Sequence, residues 1–224
     1  MNENKIIAYD SNIKKIIDEE IEKLGINADL NHIDVSRISV MRGLFSNYKF
    51  NGNISRWDMS NVQDTSEMFK HSDFNGDISA WRTNNLLNMR EMFSSSHFSG
   101  KISKWNVSNV KCMRSLFNTA LFDGDLSSWD VSKVEDMSYI FNCSKFNGDI
   151  SKWDVSEVKT MDWAFSNSKF NQDISSWKFS SDIKIDGDMH RVIENSHNVR
   201  RQKEVDLLKL NLSLQNQSYK IASL

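Results

Sequence analysis

Apolar residues recur along this chain on a fixed beat. Trp57, Trp81, Trp105, Trp129, Trp153 and Trp177 lie 24 residues apart, and two phenylalanine series, Phe50 to Phe170 and Phe45 to Phe165, keep the same interval. A constant period between about 20 and 50 residues is the signature of a solenoid, in which each repeat buries its apolar face against the next. In the unit at 146–169, Ile150, Trp153 and Val155 stand at i, i+3 and i+5, the inward-facing set of a leucine-rich-repeat strand. Val158, Met161 and Phe165 follow at spacings of three and four, one face of a short helix or a 3₁₀ turn. The pattern predicts an α/β repeat solenoid: a leucine-rich-repeat-like stack of about seven coils, each with one short strand and one short helical segment.

The ends differ from the middle. Ile6, Tyr9, Ile13, Ile16, Ile17, Ile21 and Leu24 trace one face of an amphipathic helix that Gly25 ends, so residues 1–25 read as a helical N-terminal cap. Residues 26–193 are the array, with a degenerate first repeat (Ile33 in the tryptophan column) and a degenerate last one (Gln172 in the glycine column). Residues 194–224 carry Leu208, Leu210, Leu212 and Leu214, a spacing that suits a C-terminal cap, a homodimer contact or a partly disordered tail.

The polar columns have local readings. Gly52, Gly76, Gly100, Gly124 and Gly148 mark Phe-x-Gly turns, where glycine permits a positive φ. Ser60, Ser108, Ser132 and Ser156 precede the helical segments as N-caps. Ser55, Ser79, Ser103, Ser127, Ser151 and Ser175 form an uninterrupted column, read as a hydrogen-bonded ladder along the stack. Asp77, Asp125, Asp149 and Asp173 supply one carboxylate per coil, too few for calcium. Asn53 and Lys101 break that column, so each Asp is expected to bond its own turn.

The recurring Phe-Asn-Gly-Asp-Ile-Ser-x-Trp-Asp-Val-Ser-x-Val-x-x-Met-x-x-x-Phe, clearest over Phe146–Phe165, resembles the repeat of BspA-like leucine-rich-repeat surface proteins across residues 26–193. The resemblance implies a right-handed, β-lined solenoid and a role in protein binding or adhesion.

Composition narrows the function. A net charge of −2 gives no pull toward nucleic acid or anionic membrane. There is no apolar run of about 18 residues, and the opening Met1-Asn2-Glu3-Asn4-Lys5 does not lead into a signal-peptide core, so a cytoplasmic location is expected. The two cysteines, Cys112 and Cys143, show no metal or disulfide spacing. The scattered histidines and the lack of a glycine-rich phosphate loop leave no catalytic constellation, so neither an enzyme nor a cofactor or metal is expected.

What remains is an exposed surface that varies while the core repeats. The column before each tryptophan reads Arg56, Ala80, Lys104, Ser128, Lys152, Ser176, and the column after it reads Asp58, Arg82, Asn106, Asp130, Asp154, Lys178. The unit around Trp81 departs most, with Arg82-Thr83-Asn84-Asn85-Leu86-Leu87. Two residues before the helical-face phenylalanine, Glu67, Glu91 and Ser115 give way to Tyr139 and Trp163, residue types favoured as binding anchors. The sequence thus points to a single-partner protein-binding module. It would be an adaptor or a steric inhibitor, of the kind a virus or mobile element could encode, with a surface or virion adhesin as the alternative. Candidate contacts are Arg56, Asp58, Arg82, Lys104, Asn106, Asp130, Lys152, Asp154, Tyr139 and Trp163.

Overall fold

The computed structural model describes residues 5–196. The N-terminal segment is not one continuous helix. Strand β1, Ile6–Ile7, pairs in parallel with β2, Ile33–Asp34, in the register Ile6 opposite Ile33. A turn then intervenes, in which Tyr9 N–H donates to Asn12 Oδ1 and Asn12 N–H returns to the Tyr9 carbonyl. Only then does α1, Ile13–Leu24, begin. Ile13 and Ile17 are buried, Ile16 and Ile21 pack at the edge of the core, and Lys14–Asp18 and Lys15–Glu19 pairs line the outer face. Gly25, at φ 89°, ends the helix and bonds the Ile21 carbonyl at 2.8 Å. The Asp10 carboxylate ties this cap to the first coil by accepting from Ser39 N–H, Ser39 Oγ and Val40 N–H.

Residues 35–184 contain turns and isolated parallel bridges, with no helix and no extended strand in any coil. The bridges run Val40–Asp64–Asn88–Cys112–Asp136–Thr160–Lys184, in 24-residue register. The segments expected to be helical are runs of turns, because their amides find partners in the neighbouring coils. Thr65, Glu67, Phe69 and His71 donate to the carbonyls of Asn88, Arg90, Met92 and Ser94 of the next coil at 2.8–3.0 Å. The carbonyls of Asp64, Ser66, Met68 and Lys70 accept from Met41, Gly43, Phe45 and Asn47 of the preceding one. The alternate amides of Met68, Lys70 and Ser72 close turns within the coil onto Thr65, Glu67 and Phe69. With the Ser66 amide donating to Asp64 Oδ1, every amide from Thr65 to Ser72 has a partner, as a buried segment requires. This geometry places two columns in the left-handed region: Gly43, Glu67, Glu91, Ser115, Tyr139, Trp163 and Asn47, His71, Ser95, Thr119, Cys143, Asn167, all at φ 52–62°.

The core is a set of aromatic stacks. Phe45, Phe69, Phe93, Phe117, Phe141 and Phe165 follow one another with centroids 5.6–5.8 Å apart. The Phe50-to-Phe170 column stacks at 6.1–6.4 Å. The glycines beside this column are not at positive φ. They are needed because the phenylalanine two residues earlier lies against them: a Cβ on Gly76 would meet Phe74 ring carbons at 2.8 Å, and one on Gly52 would meet the Ala28 carbonyl at 2.1 Å.

The serine columns also differ from expectation. Ser60, Ser132 and Ser156 donate their N–H to the Oδ1 of Asp58, Asp130 and Asp154 two residues back, and Ser108 does so to Asn106, so the Asp or Asn side chain closes the turn and no helix is capped. Ser55, Ser79, Ser127, Ser151 and Ser175 do the same with Asn53, Asp77, Asp125, Asp149 and Asp173, within each coil and not along the stack. At the C-terminal end a helix is described over 187–196, and Asp186 accepts from the Met189 amide at its start. The reading of the leucine-rich tail lies outside the described residues, apart from 194–196.

Candidate functional site

Because tryptophans point inward, the residues on either side of each must point out. Trp57 to Trp177 are buried, whereas Arg56, Asp58, Arg82, Lys104, Asn106, Asp130, Lys152 and Asp154 are all exposed. The stack brings these into two parallel rows along one face. Arg56, Asp58 and Arg82 meet around Ala80 and line a cleft of ≈ 340 Å³, and Lys104 with Lys101 lines a second of ≈ 320 Å³ on the other side of the same alanine. Ala80 stands where the flanking coils carry Arg56 and Lys104, and this gap in a row of long side chains makes the hollow. Lys101 and Ala80 were not singled out by sequence; the signal was the small residue between two long ones.

Two carboxylates on this face, Asp130 and Asp154, are held in their ionised form. Hydrogen bonds from the Ser132 hydroxyl and amide keep Asp130 below the usual carboxylate range, and those from Ser156 do the same for Asp154. The nearby Asp154 opposes the shift at Asp130, since like charges stand in successive coils.

Tyr139 and Trp163 lie elsewhere on the coil. They belong to the left-handed column and stack on each other with centroids 6.5 Å apart and planes 12° from parallel. The Arg114 guanidinium sits over the Tyr139 ring at 5.0 Å. Trp163 is 46% exposed, and its amide donates to Asp186 Oδ2 at 2.9 Å. The structure therefore separates the predicted contacts into a charged face and an aromatic patch. Arg114 is the member of the patch that sequence reading missed; it lies 25 residues before Tyr139, about one coil.

Among the described residues, no group of three His, Cys, Asp or Glu side chains is placed to hold a metal ion. His97 Nδ1 lies 3.0 Å from Asp73, an exposed pair joining adjacent coils. No helix among the described residues is long and apolar enough to cross a membrane. The geometry offers surface for recognition, with shape, charge and stacked rings as its means.

No curated protein and no solved structure matches the chain. One family matches it twice, over residues 12–121 and again over 95–204, an overlap that follows from the internal repetition. The chain belongs to the family described as Mycoplasma protein of unknown function, DUF285.

Proposed function

We propose that this chain is a protein–protein interaction module built on a right-handed, leucine-rich-repeat-type solenoid of the BspA-like kind, acting inside the cell. In this reading it grips a single partner as an adaptor or as an inhibitor that occludes the partner's own site. The observation that carries the reading is Trp163. Its backbone is in the left-handed region, where the first coil has Gly43, and nearly half of the residue is exposed. A bulky residue in that conformation costs about 1–2 kcal/mol relative to a compatible one. Burial in the core does not offset that cost here, whereas engagement of a partner would. A ring stacked on Tyr139 beneath Arg114 is already ordered, so little freedom is lost on binding.

The test is affinity capture from native extract with wild type and with Trp163→Gly. Glycine suits the backbone there, so folding is retained. A stoichiometric protein held by wild type and lost with Trp163→Gly supports the module, and equal recovery with both removes the aromatic patch from it. The alternative, an adhesin displayed at a cell or virion surface, draws on the BspA-like resemblance. It predicts that protease added to intact cells or particles digests this chain, whereas protection favours the intracellular module.

A further inference from the structure

The two exposed rows beside the tryptophans are self-complementary when the chain is set against an inverted copy of itself. The unit at 98–121 has four cations and no carboxylate, and the next, at 122–145, has five carboxylates against two lysines. The most basic coil thus abuts the most acidic one, near the middle of the array. A two-fold axis across that boundary, lying in the face and perpendicular to the stack, would set each coil against its mirror-numbered counterpart and keep every column in line.

In the row after tryptophan, that operation places Arg82 against Asp154, Asp58 against Lys178 and Asn106 against Asp130 of the other copy. In the row before it, each long cation meets a small residue: Arg56 meets Ser176, Lys104 meets Ser128 and Lys152 meets Ala80. The hollow at Ala80, with Asp58 on its wall, is where that Lys152 would enter. The next column contributes one favourable pair, Lys101 with Asp125, and one unfavourable, Asp77 with Asp149. Within one chain, like charges in successive coils, Asp130 and Asp154, disfavour the acidic half. A single partner that neutralises both halves at once is a second copy turned end for end.

We propose that this face pairs two copies of the chain in an antiparallel, isologous dimer. The proposal rests on the reading of the chain as a protein-binding module but uses a different surface from Tyr139 and Trp163, so its failure leaves that patch standing. Sedimentation equilibrium of the full chain at about 100 µM, a concentration that populates interfaces of modest affinity, should give about 52 kDa, twice the 26.0 kDa of one chain. Arg82→Asp alone and Asp154→Arg alone each set like charges together and should be monomers that still unfold cooperatively, Asp154→Arg at a lower temperature because it removes the acceptor of the Ser156 turn. Mixed one to one, the two variants regain both attractions and should return to dimer mass, as should the double variant by itself. A wild-type monomer overturns the proposal. So does a dimer indifferent to Arg82→Asp, or a mixture that stays monomeric.

Discussion

The indole N–H of Trp105 donates at 3.0 Å to the carbonyl of Ile78, a residue of the preceding coil. The same 27-residue reach recurs from Trp57 to Leu30, Trp81 to Ile54, Trp129 to Ile102, Trp153 to Leu126 and Trp177 to Ile150. Each tryptophan therefore fills its own coil and fastens it to the one before. Trp105→Ala should destabilise by about 3–5 kcal/mol through lost burial and the cavity left behind. Trp105→Phe keeps most of the volume and should lose an additional orphaned carbonyl's worth, about 1–3 kcal/mol. Urea unfolding of the two variants separates packing from hydrogen bonding. A loss below about 1 kcal/mol for the alanine variant would mean that this ring is not part of a tight core.

Glycine is required by contact rather than by φ in the Phe-x-Gly columns. Gly76→Ala drives a methyl into the Phe74 ring, whose carbons are 2.8 Å from the new Cβ. The ring is locked between its neighbours in the stack, so a loss of about 1–3 kcal/mol is expected. Gly187→Ala meets nothing within 4 Å and should leave the unfolding midpoint unchanged or raise stability by less than about 1 kcal/mol.

Thr119 is a β-branched residue at φ 55°, a conformation that asparagine tolerates far better. Asn47 and Asn167 occupy the same column at φ 61° and 53°. Thr119→Asn should therefore stabilise by about 0.5–1 kcal/mol, read as a higher urea midpoint. A lower one would show that the threonine hydroxyl, 3.2 Å from Asn118 Oδ1, matters more than the backbone.

Acid should weaken the stack. Asp77 and Asp125 sit below the usual carboxylate range because the Ser79 and Ser127 amides bond the ionised form, and Asp130 and Asp154 because the hydroxyls and amides of Ser132 and Ser156 do. Folded-state values below the unfolded ones mean that these groups stabilise fully above about pH 4. That contribution is lost as pH falls through the lowered values. The urea midpoint should drop steadily from about pH 4 to pH 2.5. Asp154→Asn keeps the Oδ1 acceptor, as Asn106 does for Ser108 at 3.1 Å and 2.7 Å, and should flatten part of that slope. An unchanged slope would place the acid sensitivity elsewhere.

The apolar columns were legible because burial acts at the same place in every unit: Trp105, Phe93 and Phe98 face inward where their spacing puts them. Their backbone was not legible. Val158, Met161 and Phe165 carry a helical spacing, yet the neighbouring coil supplies acceptors that outcompete the i−4 carbonyls, a choice invisible in any one unit. The Asp77 and Asp125 turns were recognisable from their place beside a glycine, whereas the role of Ser132 as partner of Asp130 and the ring contact that requires Gly76 were not. At the surface, Tyr139 and Trp163 stood out by residue type, but Arg114 and the hollow at Ala80 needed neighbours a full coil away to acquire meaning.

Along the Thr65–His71 run and its counterparts the bridging N–H groups point toward the C-terminal coil, whereas the amides of Gln63, Leu87, Lys111, Glu135 and Lys159 donate back to the preceding coil. Within that run the dipoles add as those of a helix do, with the positive pole at the C-terminal end. Asp186 takes the Trp163 amide there, and Asp188 accepts from Ser166 Oγ at 2.5 Å. That run is electrically directional, so its two ends call for partners of opposite character, whereas the oppositely directed amides at Ser39 and Val40 are met at the N-terminal end by the Asp10 carboxylate.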